Sequence, residues 1–358
     1  MRLLARFPQA VGSKMIARVC ASAFMALMLG AITAKAADRV SVGTVGNSSD
    51  AGFFIAMDRG YFAAEGLEVT FTPFDGAQKM MAPIGQGELD VGGGAASASL
   101  YNSAARGIGI RIVADRSRMQ AGYMFQTLMV RKALVDSGRF RTYADLKGLK
   151  VALVAPGGSP GSTLNEAAKK AGIPYDSIEK VFLAFPAQVS AFTNGAIDAS
   201  LMIEPFATYL VNQGVAVRFS STEDFYPDDQ IGLVFFSEKF LKERRAVGER
   251  FLRAYVRALR DYNDAVREGR FSTGPKGEAV VAILARNLGM KEEQIRGSYV
   301  QAISPDGKPN VESLRKDLQF FIAQGEVTDA KVDLDKILDL SLVETAVKAL
   351  GLYQPQRE

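Results

Sequence analysis

Histidine and tryptophan are both absent from this chain of 358 residues, and cysteine occurs once, as Cys20. No imidazole can serve as a general base, and no disulfide can form within the chain. Transition-metal sites lose the nitrogen and sulfur ligands they normally use, so no cofactor or metal is expected. Basic residues are in small excess, with 43 Lys and Arg against 39 Asp and Glu. Five of those bases (Arg2, Arg6, Lys14, Arg18, Lys35) and no acid fall in residues 1 to 36. Without that segment 38 bases face 39 acids, a net charge of about −1. No basic surface then remains for nucleic acid or an anionic membrane.

Within the same segment an apolar run from Val19 to Ala34 ends in Ala34-Lys35-Ala36, with small residues at the two positions a signal peptidase reads. The run is short for the roughly 20 apolar residues that span a bilayer. Residues 1–36 are therefore expected to be a secretory signal peptide, cleaved near Ala36. Cys20 precedes the end of the apolar run instead of closing it, which argues against a lipid-modified cysteine.

From Ala37 onward the chain is longer than one typical core supports, so two domains are expected. Val40 to Val45 reads as a strand entering the polar loop Gly46-Asn47-Ser48-Ser49-Asp50, and Ala51 to Arg59 reads as a helix closed by Gly60. Strand Leu67 to Phe74, loop Asp75-Gly76, helix Ala77 to Gln86, strand Leu89 to Gly92 and helix Ala95 to Arg106 continue the alternation. Such alternation gives mainly parallel sheets covered by helices, an α/β fold.

A second copy of the plan begins near Lys150, where a strand enters the Gly- and Ser-rich loop Ala155 to Ser162 and a helix follows from Thr163. The halves echo each other. Gln78 leads through a helix to Gly87-Glu88-Leu89-Asp90, and Gln188 leads through a helix to Gly195-Ala196-Ile197-Asp198. In each, the glycine suits a left-handed helix end and the aspartate opens the next strand. The expected division is a first lobe of residues 37–130 and 232–358 and a second lobe of 131–231. The crossings, where a hinge would act, are expected near Met129 to Lys132 and Asp229 to Gly232. After Phe236 a long helical pattern (Phe240, Phe251, Leu252, Tyr255 and Leu259 on one side) and helices near 276–287, 291–300 and 311–324 are expected to wrap the first lobe.

Several segments resemble the ABC-transporter substrate-binding proteins for nitrate, taurine and alkylsulfonates. In the first half these are Asp58-Arg59-Gly60-Tyr61-Phe62, Glu65-Gly66-Leu67-Glu68-Val69 and Gly87-Glu88-Leu89-Asp90-Val91-Gly92. In the second they are Asp145-Leu146-Lys147-Gly148-Leu149-Lys150-Val151-Ala152, Gly195-Ala196-Ile197-Asp198-Ala199 and Glu204-Pro205. The resemblance implies a two-lobed periplasmic binding protein fold of type II that closes around a small-molecule ligand by a hinge motion. It further implies a periplasmic, monomeric protein that delivers the ligand to an ABC transporter permease in the inner membrane. The lack of Trp and His departs from the nitrate and sulfonate members, which puts those ligands in doubt.

Ligands of open α/β sheets collect at the carboxyl ends of the strands. Gly and Ser loops there expose N–H groups, and helix N-termini favour anions. The candidate ligand contacts in the first lobe are therefore Asn47, Ser48, Ser49, Gly76, Gln78, Gly94, Ala95, Ala96 and Ser97. Those in the second are Gly157, Gly158, Ser159, Gly161, Ser162 and Thr163, with Gln188 and Glu204 behind them. Each Ser or Asn fits a helix N-cap equally well, and each glycine a plain turn. Arg116 and Arg118 follow a strand; either could pair with an acidic ligand or be solvated. Glu204 could accept hydrogen bonds from an amine or ring N–H, or steady the first turn of a helix.

The same resemblance extends to pyrimidine-precursor synthases of thiamine biosynthesis, whose chemistry depends on a histidine and a cysteine-rich motif, both missing here. A carboxylate-based lyase or dehydratase using Glu204 or Asp75 and a ligand-sensing receptor component are the alternatives to transport.

Overall fold

A computed structural model describes residues 36–356. The expected signal peptide, with Cys20, therefore lies outside the described residues apart from Ala36. Among the described residues no helix is long and apolar enough to cross a membrane.

Ten strands form two five-stranded sheets. β1 (Asp38–Thr44), β2 (Leu67–Pro73), β3 (Val91–Gly94) and β4 (Ile110–Arg118) belong to the first, together with β10 (Gln230–Ser237). β5 (Gln126–Arg131), β6 (Lys150–Leu153), β7 (Glu179–Phe182), β8 (Ala199–Ile203) and β9 (Ala216–Ser221) make the second. The strand orders β2-β1-β3-β10-β4 and β7-β6-β8-β5-β9 superpose in plan. Four strands in each run the same way, and β10 and β5 run antiparallel to their neighbours. The first sheet thus takes β10 from beyond the second sheet in the sequence, whereas β5 to β9 follow one another without a break.

The internal echo has a physical basis. Gly87 and Gly195 both follow a helix at left-handed φ of 73° and 75°, where a Cβ would be strained. Asp90 then accepts the N–H of Ser41 at 3.0 Å, and Asp198 that of Lys150 at 3.1 Å. Each aspartate ties its strand to the neighbouring parallel one, at the middle of β1 in one sheet and at the start of β6 in the other.

The longer helices are α1 (Ala51–Asp58), α2 (Ala98–Ala105), α3 (Ser159–Ala171), α4 (Phe185–Thr193), α5 (Phe206–Asn212), α6 (Glu238–Ala265), α7 (Pro275–Leu288), α8 (Glu292–Gly297), α9 (Val311–Ala323) and α10 (Ser341–Leu350). On the first sheet, Phe53 of α1 lies over the glycines of β3, where a Cβ at Gly93 would stand 2.7 Å from its ring. The same ring packs on Tyr255 of α6, with centroids 5.1 Å apart. Phe240, Phe251, Leu252, Tyr255 and Leu259 are all buried, as their spacing requires. In the second sheet, Leu128, Val130, Val151, Leu153 and Leu201 fill one core while Met129, Ala152 and Met202 fill another. Adjacent strand residues face opposite sides, so both faces are covered by helices.

Two expectations change. β5 pairs wholly within the second sheet, so the boundary expected at residue 130 cuts through a strand, and the crossing near Met129 to Lys132 is displaced. The chain enters the second sheet through residues 119–125, where Gly122 turns at φ 87°, and returns between Tyr226, in the second-sheet core, and β10. The C-terminal helices also do more than wrap the first lobe. α9 packs on both α2 and α3, with Phe321 near Tyr101 and Phe320 edge-on to Tyr175 at 5.2 Å.

Candidate functional site

The loop after β1 is organised by a buried carboxylate. Asp50 accepts the N–H groups of Val45 and Gly46 at 3.2 and 2.9 Å and pairs with Arg116 at 2.8 Å. Asn47 Oδ1 accepts from Ser49 N–H and from the Arg116 guanidinium. Gln301 donates its amide to the Ser48 carbonyl at 2.7 Å, and the Ser48 hydroxyl donates back at 3.2 Å. Arg116 is only 3 % exposed, so it is neither solvated nor free for an acidic ligand. It holds the shape of the loop.

The Gly157 to Thr163 segment is likewise engaged by protein. Ser97 bridges to Gly158, and the Ala98 N–H donates to the Gly157 carbonyl at 2.8 Å. Gly157 sits at φ 66°, where a Cβ would stand 3.2 Å from that of Ala98. Pro160 and Gly161 begin α3, and Ser159, Ser162 and Thr163 are buried. The Thr163 hydroxyl donates to Asp229 at 2.9 Å, and the Ser162 hydroxyl meets the Asp317 carboxyl. Burial raises the Asp229 carboxyl to about 7, against the pull of Thr163, and burial with the nearby Asp229 charge raises Asp317 well above its ordinary value. Asp229 Oδ1 and Asp317 Oδ2 each lack a hydrogen-bond partner among the described residues.

The remaining candidates are mostly structural. Ser97 caps α2, Ala96 is buried, and a Cβ at Gly94 would stand 2.3 Å from that of Ala77. Gln188 is fully buried, donating to the Leu183 carbonyl at 2.7 Å and accepting from Ser200. Gly76 and Ala95 are half-buried and Gln78 is exposed at the rim of the same contact.

The open space lies to one side, as a cavity of about 730 Å³. Asn47 and Ser48 form one wall and Pro186, Val189, Glu204, Pro205, Phe206, Thr208, Tyr209 and Asn212 another. Phe271 and residues 288–300, including Leu288, Met290, Tyr299 and Val300, close the third. Of the expected set, Asn47, Ser48 and Glu204 border it. Glu204 is 1 % exposed, accepting from Arg218 at 2.5 Å and from the Thr208 N–H at 3.1 Å, so it caps α5. Tyr299 lies between two guanidiniums, Arg270 at 3.7 Å and Arg218 at 5.3 Å from the ring centre. Sequence patterning did not point to residues 288–300 because they reach the cavity through tertiary packing of α7 and α8. The local signals that reached it were Asn47, Ser48 and Glu204. Among the described residues, no group of three or more acidic side chains is placed to hold a metal ion.

Residues 47–265 match the model of a family described as NMT1/THI5 like. A protein of Escherichia coli (strain K12) named as an aliphatic sulfonates-binding protein is 22% identical over 272 residues, covering 75% of this chain and 78% of that relative. The crystal structure of the periplasmic aliphatic sulphonate binding protein SsuA from Escherichia coli aligns with a TM-score of 0.66 at 18% identity, over 86% of this chain and 99% of that one. The desulfurization enzyme DSZB aligns at a TM-score of 0.59 and 16% identity, over 88% of this chain and 100% of that one. These structural likenesses show the two-lobed fold.

Proposed function

This chain belongs to the NMT1/THI5 like family, and from that premise we propose that it is an exported solute-binding protein that captures a small organic molecule and hands it to an ABC-type importer. The observation that carries the reading is the cavity itself. Its 730 Å³ falls in the range of small-molecule sites, and its walls come from the first-lobe loop, the end of β8 with α5, and the C-terminal segment. A site built from both lobes gives a ligand leverage over their closure.

Neither carboxylate named for acid–base chemistry suits an enzyme. Asp75 is fully exposed, and the hydrogen bond and charge of Lys79 hold its carboxyl below the usual range. Glu204 has both oxygens engaged by Arg218 and the α5 amide, which favours a fixed carboxylate over a proton carrier. Solute capture followed by transfer to a membrane permease remains the reading that uses the whole arrangement.

Native mass spectrometry of the protein recovered from its own periplasm tests this. The expected product begins near Ala37 and carries a small molecule that leaves on denaturation without chemical change. A product that retains Met1, or one that converts its ligand on incubation, contradicts the proposal.

A further inference from the structure

We propose that the captured solute is a neutral or cationic molecule with an apolar body and an N–H donor directed at Glu204, and that it is not a sulfonate or nitrate; this rests on the cavity being the solute site. Most of the loop groups that could hold an anion already meet a carboxyl supplied by the chain. The Val45 and Gly46 amides and the Arg116 guanidinium are taken by Asp50. Arg218 and the amide at the start of α5 are taken by Glu204. The Ser162 and Thr163 hydroxyls meet Asp317 and Asp229. A sulfonate entering at these loops would have to displace one of these carboxyls or lie unpaired against apolar walls, and both are costly.

The charged residues that border the cavity are Glu204 and Glu293, both acids. Arg218 is neutralised by Glu204, and Arg270 lies across the Tyr299 ring. The rest of the wall is largely apolar, with Val189, Phe206, Leu288 and Met290 prominent. Phe206 is braced by Phe185, their rings 5.8 Å apart and 20° from parallel. Each Glu204 oxygen has one donor, and a carboxylate oxygen accepts two. The free acceptor capacity therefore sits beside an apolar surface, which suits an amine, amide or ring N–H on an apolar frame.

The test uses three probes of one size on the exported protein: benzylamine, benzamide and benzenesulfonate, titrated at neutral pH by NMR with the Met290 methyl as reporter. Benzylamine and benzamide are expected to shift Met290 and to bind at least about tenfold more tightly than benzenesulfonate. Glu204→Gln, which leaves Arg218 without its acid, is expected to reverse that order, a response that simple loosening of the fold would not give. Should Glu204→Gln fail to fold, the probe series on the unaltered protein decides alone. Benzenesulfonate binding as tightly as benzylamine with Met290 shifted overturns the charge assignment and leaves the cavity in place. No aromatic probe shifting Met290 overturns both.

Discussion

Replacing Arg116 by alanine should lower the stability of the protein through the first-lobe loop, with any loss of affinity following from that. The pair it makes with Asp50 is 2.8 Å long, with side chains 3 % and 0 % exposed. Removing one member of so buried a pair costs about 3–5 kcal/mol, because the survivor is left charged and unpaired. The two members are not equal. After Arg116→Ala, Asp50 still accepts the Val45 and Gly46 N–H groups, so the loss should sit near the lower end, about 3 kcal/mol. Asp50→Ala removes those acceptors and strands Arg116 as well, and should approach about 5 kcal/mol. Urea unfolding followed by far-ultraviolet circular dichroism measures both, and the absence of tryptophan leaves tyrosine as the fluorescence probe. An Arg116→Ala protein as stable as wild type that loses its solute would refute the argument and make Arg116 the solute's counter-charge.

Three further outcomes are expected. Asp229 is raised from 3.8 to about 7 by burial in the folded protein, so it stabilises at acid pH, and that contribution is lost as pH rises through about 7. Relative to Asp229→Asn, wild-type stability should fall between pH 5 and pH 7 by at most about 1.4 kcal/mol per pH unit and level off above; parallel curves for the two proteins would sink this. Gly94→Ala forces a Cβ to 2.3 Å from that of Ala77 and should cost about 1–3 kcal/mol by overpacking, seen as a lower melting temperature. Gln188→Ala should lower stability by about 1–3 kcal/mol by leaving the Leu183 carbonyl and Ser200 unpaired, while isothermal titration shows solute affinity unchanged.

The plan of two α/β halves was legible because it rests on local signals. The left-handed glycines at 87 and 195, the strand-opening aspartates at 90 and 198 and the spacing of Phe240, Phe251, Tyr255 and Leu259 each act within a few residues of chain. The crossing before β5 was not legible, since Gly122 alone marks the turn between β4 and β5. The loops rich in amides and hydroxyls were read as donors to a ligand, and the groups that meet them in the fold come from afar. Asp229 and Asp317 reach α3 from the second crossing and from α9, and no pattern near Ser162 announces them. Asp50 was closer to hand, since Asn47 and Asp50 form a capping box over three residues. The aromatic and apolar wall of residues 288–300 depends wholly on how α7 and α8 pack.

The most direct test of the account is a crystal structure of the exported protein with the molecule that copurifies with it. The account predicts density in the cavity beside Asn47 and Ser48, with a donor within hydrogen-bond distance of Glu204 and an apolar face against Phe206, Met290 and Tyr299. Density at the start of α3, held by Ser159, Ser162 and Thr163 after displacement of Asp229 and Asp317, would contradict it.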